Sequence, residues 1–155
     1  MNVIPSLIQL FERDLQKLKT EIVQYSQDEH LWLVAPQINN SAGNLVLHLI
    51  GNLNTYIGAE IGKTGYIRNR PLEFSEKGLS KNELLNRVTE TLDIVKNSLI
   101  TLPEEALEEE YPQLVFEQKT STGYLLIHLT THLTYHLGQI NYHRRLLDKV
   151  SHESL

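Results

Sequence analysis

Four of the seven histidines fall within residues 121–147, at positions that return to one side of a helix. The intervals between them are four, four and seven residues, so in a helix all four side chains lie within about 40° of His132. The row consists of His128, His132, His136 and His143, with Gln139 among them. Leucine and isoleucine take the other directions, and the pattern predicts a long helix buried over much of its circumference.

Two explanations compete for this row of histidines. A histidine on a packed helix is often a hydrogen-bonded core residue that binds no ligand. Two histidines four residues apart, such as His132 and His136, can instead share one divalent ion. Their side chains cover the same helical turn, and imidazole nitrogens bind such ions at about 2.0–2.1 Å. A third ligand elsewhere in the chain would favour the metal site.

Composition narrows the chemistry of any such site. The chain of 155 residues contains no cysteine, which excludes a thiol nucleophile, disulfides and cysteine-ligated zinc. A metal site must therefore use nitrogen and oxygen ligands. The net charge is −5, and lysine and arginine form no cluster larger than a pair, so nucleic-acid binding is not expected.

Length and hydropathy predict one soluble domain. With 41% hydrophobic residues, the chain is sized for a single domain over residues 1–155 around one core. The first 15 residues carry early charges and no cleavable apolar segment, and no run of about 18 apolar residues occurs. We therefore expect a cytoplasmic protein that does not bind membranes.

Helical periodicity predicts four long helices and no sheet. They cover about residues 5–26, 41–61, 80–102 and 121–147. Capping signals support three of the starts, because Ser41 and Ser121 precede two of the helices and Ser80 with Glu83 forms a capping box at another. Four long helices without strands indicate an all-α four-helix bundle.

The connection between the second and third predicted helices is long. Residues 62–79 are rich in glycine, proline and charge, which predicts a non-helical segment. A crossover of this length would let the second and third helices run parallel. Three of its charged side chains are expected to pair with one another or with helix ends, with anion binding as the alternative. These three are Arg68, Arg70 and Glu73.

The second predicted helix carries an uncharged polar stripe centred on His48. Asn44 and Asn52 lie one turn to either side of it. A solvated face is the ordinary explanation for polar residues on one side of a helix, but this stripe has no charge over four turns and suits the wall of a cavity. If the second and fourth helices face each other, His48 meets His132 and His136 at one point.

Three imidazoles without an obvious fourth protein ligand predict an open metal site. Three protein ligands and a free position are typical of catalytic rather than structural centres. Nitrogen ligands select weakly among first-row metals, so zinc, nickel, iron and manganese are all compatible, and zinc or nickel is expected first. Register suggests four further residues for hydrogen bonds to the ligands or to a substrate. These are Asn44, Asn52, His128 and Gln139.

His143 belongs to the row but is not expected to bind the same ion. It lies seven residues beyond His136, which is about 10 Å along the axis of a helix that rises 1.5 Å per residue.

The segments HLTYHLGQI and NLVLHLIGNL, with the long crossover, resemble the DinB-like superfamily of metal-binding helical bundles. The linker RNRPLEF and the segment YHLGQINYHRRLL resemble one of its uncharacterised branches. The resemblance covers nearly the whole chain, and its most specific element is His-x-x-x-His followed by Gly-Gln. It implies an up-down-down-up bundle, frequent dimerisation, and a divalent metal held at the positions of His48, His132 and His136.

One position departs from the family pattern. Many relatives have His-Arg-Gly-Gln where this chain has a leucine, Leu137, after His136. A role for the arginine is therefore not carried over.

Members of this superfamily include bacillithiol transferases and mycothiol-dependent maleylpyruvate isomerase, so the resemblance implies a metal that activates a thiolate or water. We expect a metal-dependent thiol S-transferase that acts on small electrophiles with a low-molecular-weight thiol. The alternatives are a metal-dependent hydrolase of a small molecule and a metal- or ligand-binding bundle without turnover. A third alternative is a structural bundle whose histidines form hydrogen bonds only to neighbouring amides.

The apolar surface of the first helix is compatible with a homodimer.

Overall fold

The structure, a computed structural model, describes residues 2–149, and this part of the chain contains helices and no β-strand. The α-helices are α1 (Ile4–Gln24), α2 (Ala42–Leu53), α3 (Arg70–Ser75), α4 (Lys81–Ile100) and α5 (Thr122–Leu147). A π-helical segment, Asn54–Ala59, extends α2, and short 3-10 helices occupy Asp28–Trp32 and Glu104–Leu107. The prediction of an all-helical chain is confirmed, and the predicted domain end at residue 155 lies outside the described residues.

The predicted caps begin three of the long helices. The Ser41 hydroxyl accepts a hydrogen bond from the backbone of Asn44, and Ser121 does the same for the backbone of Tyr124. At α4 the capping box is complete, because Ser80 and Glu83 each accept from the other's backbone N–H. Each cap satisfies a donor that the helix leaves unpaired and contributes about 1 kcal/mol.

Polar contacts show how the long helices are oriented. Thr134 of α5 donates to Asp14 of α1 at 2.6 Å. Asn141 donates to Glu21, and both of these residues lie about two turns further along their helices. Since the residue numbers of the paired side chains rise together in the two helices, α1 and α5 run in the same direction.

The pair formed by α2 and α4 is arranged similarly. Asn54 donates to Thr91 at 2.9 Å, and Gly58 packs against Ile94, so α4 runs parallel to the extended α2. The core between the four long helices is mainly aliphatic, and each fully buried side chain contributes about 1.5–3 kcal/mol. It includes Phe11, Leu15, Leu18, Leu49, Leu53, Val88, Val95, Leu129 and Leu133. Within residues 2–149 no helix is long and apolar enough to cross a membrane.

The connection over residues 62–79 is partly helical, so the prediction of a non-helical segment is wrong for α3. The Asn69 side chain accepts from the backbone of Leu72 at 3.2 Å and caps α3, and Pro71 lies in its first turn. Six residues carry too little periodicity to reveal a helix, and so short a helix is stable only when it packs on another element. Here α3 packs against α2.

Asn44 holds this connection in place. Its side-chain amide donates to the backbone carbonyls of Glu73 and Glu76, each at 2.9 Å. The connection therefore lies along α2, and α3 presents Glu73 to the middle of that helix.

Gly51 makes the close approach of α3 to α2 possible, because a Cβ built at this position would lie 2.0 Å from Oε1 of Glu73. We expect Gly51→Ala to lower the free energy of unfolding by about 1–3 kcal/mol in a urea titration. The Glu73 carboxylate is hydrogen-bonded by Arg68 and His48, so it cannot move freely away from the added methyl group.

Gly138→Ala is the matched control for this substitution. It also lies inside a long helix, but a Cβ there meets nothing within 4 Å. The control should stabilise the protein by about 0.5–1 kcal/mol through helix propensity alone. Equal effects of the two substitutions would show that Gly51 provides no needed space.

Candidate metal centre

Three histidines meet where α2 and α5 pack against each other. Nε2 of His132 lies 3.3 Å from Nε2 of His48 and 3.1 Å from Nε2 of His136. One nitrogen from each ring lies within 4.8 Å of the other two, a group that could hold a metal ion. The structure thus brings together the three side chains that the sequence singled out as ligands.

The outer nitrogens of two of these rings face oxygen acceptors. Nδ1 of His48 lies 3.0 Å from a carboxylate oxygen of Glu73, and Nδ1 of His136 lies 2.7 Å from Oε1 of Gln139. Each Nδ1 must therefore carry the hydrogen, and in a neutral imidazole this leaves the lone pair on Nε2. Two lone pairs consequently point into the space between the three rings, as metal coordination by imidazole requires.

His132 cannot satisfy both of its neighbours. If its hydrogen is on Nε2, that N–H can be donated to one ring only, and its buried Nδ1 lacks a hydrogen-bond partner within residues 2–149. If the hydrogen is on Nδ1, three lone pairs face one another. Either arrangement costs free energy, and a cation between the three Nε2 atoms would remove the second cost. The donor set therefore fits a divalent ion.

The electrostatics of the cluster favour neutral rings. Burial, reinforced by the neighbouring His136 and His48, lowers the pKa of His132 to about 4. Burial also lowers the pKa of His48 and of His136, although the Glu73 and Gln139 hydrogen bonds oppose it. Neutral imidazoles can accept a metal near pH 7 without first losing a proton.

Glu73 is the site residue whose role the sequence did not reveal. It is 6% exposed, and Arg68 donates to its two carboxylate oxygens at 2.7 and 3.0 Å. The predicted pairing of these two charges is therefore present. The same carboxylate also accepts from His48, in the carboxylate–histidine arrangement that orients metal ligands. The Asn-x-Pro start of α3 could have indicated a short helix here, but no sequence signal indicated the contact with His48.

The other candidate residues are distributed around the three rings. Gln139 contacts His136 directly. His128 lies beside His132, with ring centroids 6.0 Å apart, and its ring stands edge-on against Phe116. Asn52 is buried next to the rings, and its Oδ1 has no hydrogen-bond partner in the described part of the chain. Asn44 instead fastens the connection to α2.

His143 has partners of its own. It is buried, its Nδ1 lies 2.7 Å from the Tyr25 hydroxyl, and its Nε2 donates to the carbonyl of Leu33 at 2.9 Å. Both ring nitrogens are thus satisfied away from the cluster, which matches its expected separation from the other three histidines.

A cavity of about 420 Å³ lies on one side of the cluster, where His48 and His132 form part of its wall. The polar lining also includes Asn52, His128 and two arginines, Arg68 and Arg70, and the apolar lining includes Phe116. No aspartate or glutamate of the described chain lines this cavity. A ligand in it would contact two of the three candidate metal ligands, His48 and His132.

The fold and the cluster together define a helical protein with a candidate three-histidine metal centre. Residues 2–155 match the family described as Protein of unknown function (DUF1572), and the chain belongs to that family. The crystal structure of a conserved protein from Enterococcus faecalis superposes with a TM-score of 0.75 at 17% identity, covering 95% of this chain and 98% of that one. This likeness shows a shared fold. Among curated proteins, none matches.

Proposed function

We propose that this protein is a divalent-metal-dependent enzyme that transfers a low-molecular-weight thiol to small electrophiles, with His48, His132 and His136 as the metal ligands. The supporting observation is that three Nε2 atoms converge beside a cavity of about 420 Å³. Three nitrogen ligands with an open side are the arrangement of catalytic centres. The choice of a thiol follows the resemblance to thiol-dependent DinB-like proteins.

We also propose that the four long helices form the up-down-down-up bundle of the DinB-like superfamily. In support, α1 runs parallel to α5 and α2 runs parallel to α4, while α1 packs against α4 and α5 packs against α2. The connection through α3 is the crossover that such a bundle needs. A homodimer and a cytoplasmic location stay predictions of the sequence.

The chain's own residues would have distinct tasks in this reaction. Glu73 and Gln139 hold the rings of two ligands so that their lone pairs point inward. Phe116 covers part of the cavity wall and excludes water. His128 lies in the same wall, where an imidazole can accept the proton of an incoming thiol.

A bound zinc or nickel ion would lower the pKa of a thiol or water placed at the open position. The thiol loses its proton, its sulfur forms a bond to the electrophilic carbon, and the leaving group departs with the electron pair of the broken bond. A hydrolase would use water in place of the thiol.

The test begins with elemental analysis of protein purified without an affinity tag, where we expect about one zinc or nickel per chain under the three-ligand scheme. The metal-loaded protein is then assayed for conjugation of 2-mercaptoethanol to 1-chloro-2,4-dinitrobenzene. We expect conjugation that is absent from the metal-free protein and from His48→Ala.

Other results would favour a different function or overturn the proposal. Hydrolysis of 4-nitrophenyl acetate without any thiol would favour the hydrolase, and bound metal with neither activity would favour a binding protein. Protein that neither contains metal nor binds added Zn²⁺ or Ni²⁺ would overturn the proposal.

A further inference from the structure

We propose that the cavity beside the three histidines selects a thiol that carries a carboxylate, and that Arg70 binds this carboxylate. The inference rests on the proposed function, because it takes the cavity to be the substrate site. It deepens that function by naming the class of thiol.

The charge of the cavity wall supports an anionic ligand. Arg68 and Arg70 both contribute to the lining, and the lining contains no acidic side chain of the described residues. The chain as a whole has a net charge of −5, so the unpaired positive charge of Arg70 in this wall is opposite in sign to the net charge of the protein. A concave wall of one sign concentrates ligands of the opposite sign.

The two arginines differ in whether their positive charge is paired with a carboxylate of the protein. Arg68 is 15% exposed in its side chain and gives two hydrogen bonds to Glu73. Its charge is therefore balanced inside the protein. It supports the site chiefly by holding the Glu73 carboxylate toward His48.

Arg70 is the cation that remains without a balancing charge. It is exposed, and no carboxylate oxygen of residues 2–149 forms a salt bridge with it. Its guanidinium lies 5.8 Å from the centroid of the Phe74 ring, which restricts the side chain while leaving its N–H groups available. A planar guanidinium binds a carboxylate through two parallel hydrogen bonds.

Asn52 lies in the wall of the same cavity and is 7% exposed. Its Oδ1 is fully buried, with no hydrogen-bond partner within the described range, so this oxygen is not accessible from the cavity. The expected ligand thus combines a thiol for the metal with a carboxylate for Arg70.

The test compares two thiols of different charge on Co²⁺-loaded protein. Mercaptosuccinate carries two carboxylates and 2-mercaptoethanol carries none, and binding of either is followed by the sulfur-to-cobalt absorption band. We expect Arg70→Ala to weaken mercaptosuccinate binding by about tenfold or more while leaving 2-mercaptoethanol binding unchanged. Added NaCl should weaken only the charged thiol.

Arg145→Ala is the matched control. Arg145 is also exposed and lies over an aromatic ring, 5.1 Å from the centroid of Tyr142, but it is not part of this cavity wall. It should bind both thiols as the wild type does. Equal binding of mercaptosuccinate by Arg70→Ala and the wild type would overturn the inference and leave the proposed metal site intact.

A protein that does not bind Co²⁺ would count against the proposed function, and the inference can then be tested separately. Succinate, which has the carboxylates without the thiol, is titrated calorimetrically into metal-free protein at low salt. Binding that disappears in Arg70→Ala supports an anion site in the cavity. The same weak or absent heat in the wild type and the variant would overturn it.

Discussion

His132→Ala should abolish the stabilisation that Zn²⁺ or Ni²⁺ gives to the protein. His132 is the central ring of the cluster, since its Nε2 lies 3.3 Å and 3.1 Å from those of the other two ligands. Metal at 100 times its dissociation constant stabilises a protein that binds it only when folded by about 2.7 kcal/mol. Thermal melting of wild type and variant, with and without metal, measures this difference directly.

The metal-free stability of the same variant separates a ligand from a packing residue. His132 has a buried Nδ1 without a hydrogen-bond partner within the described chain, which is unfavourable. Removing the side chain relieves this cost, and the relief partly offsets the contacts that are lost. We expect metal-free His132→Ala to unfold within about 1 kcal/mol of the wild type.

His143→Ala is the opposite case and serves as the control. It removes the partner of both Tyr25 and the Leu33 carbonyl, and should lower the metal-free stability by about 2 kcal/mol or more. Its response to metal should be retained. A full metal response in His132→Ala would show that the ion binds elsewhere.

Glu73→Ala should be the most destabilising change at the site. It leaves the Arg68 guanidinium, 15% exposed, without its counter-charge and removes the acceptor of His48 Nδ1. Removing one partner of a buried ion pair costs about 3–5 kcal/mol, and losing an oriented ligand contact weakens metal binding by about 10–100-fold. Urea unfolding and metal titration against a chelator measure the two effects.

Glu76→Ala is the control for Glu73, because Glu76 lies three residues on and forms an exposed pair with Arg87 at 3.5 Å. It should change stability by less than about 1 kcal/mol and leave metal affinity unchanged.

A double variant separates stability from function at Glu73. Arg68→Leu combined with Glu73→Leu removes both charges and should recover much of the lost stability. It should not recover metal affinity, because His48 still lacks its acceptor. Metal binding at wild-type strength in this variant would show that Glu73 does not orient the ligand.

The sequence by itself determined the helices and the shared face of the histidine row. Helical periodicity and caps are local, since they depend on residues three or four apart, and Ser41, Ser80 and Ser121 begin their helices as predicted. The proximity of His132 and His136 follows from the same local geometry. Their meeting with His48 was predictable only on the condition that two helices face each other.

Tertiary structure alone decided what surrounds those three rings. The short helix α3 has no strong pattern of its own and exists because it docks on α2 beside Gly51. That docking carries Glu73 to His48 across 25 residues of sequence, and it places Arg70 at the cavity without a counter-charge in the described chain. Contacts between distant segments depend on packing and not on local periodicity, so no spacing in the sequence could specify them.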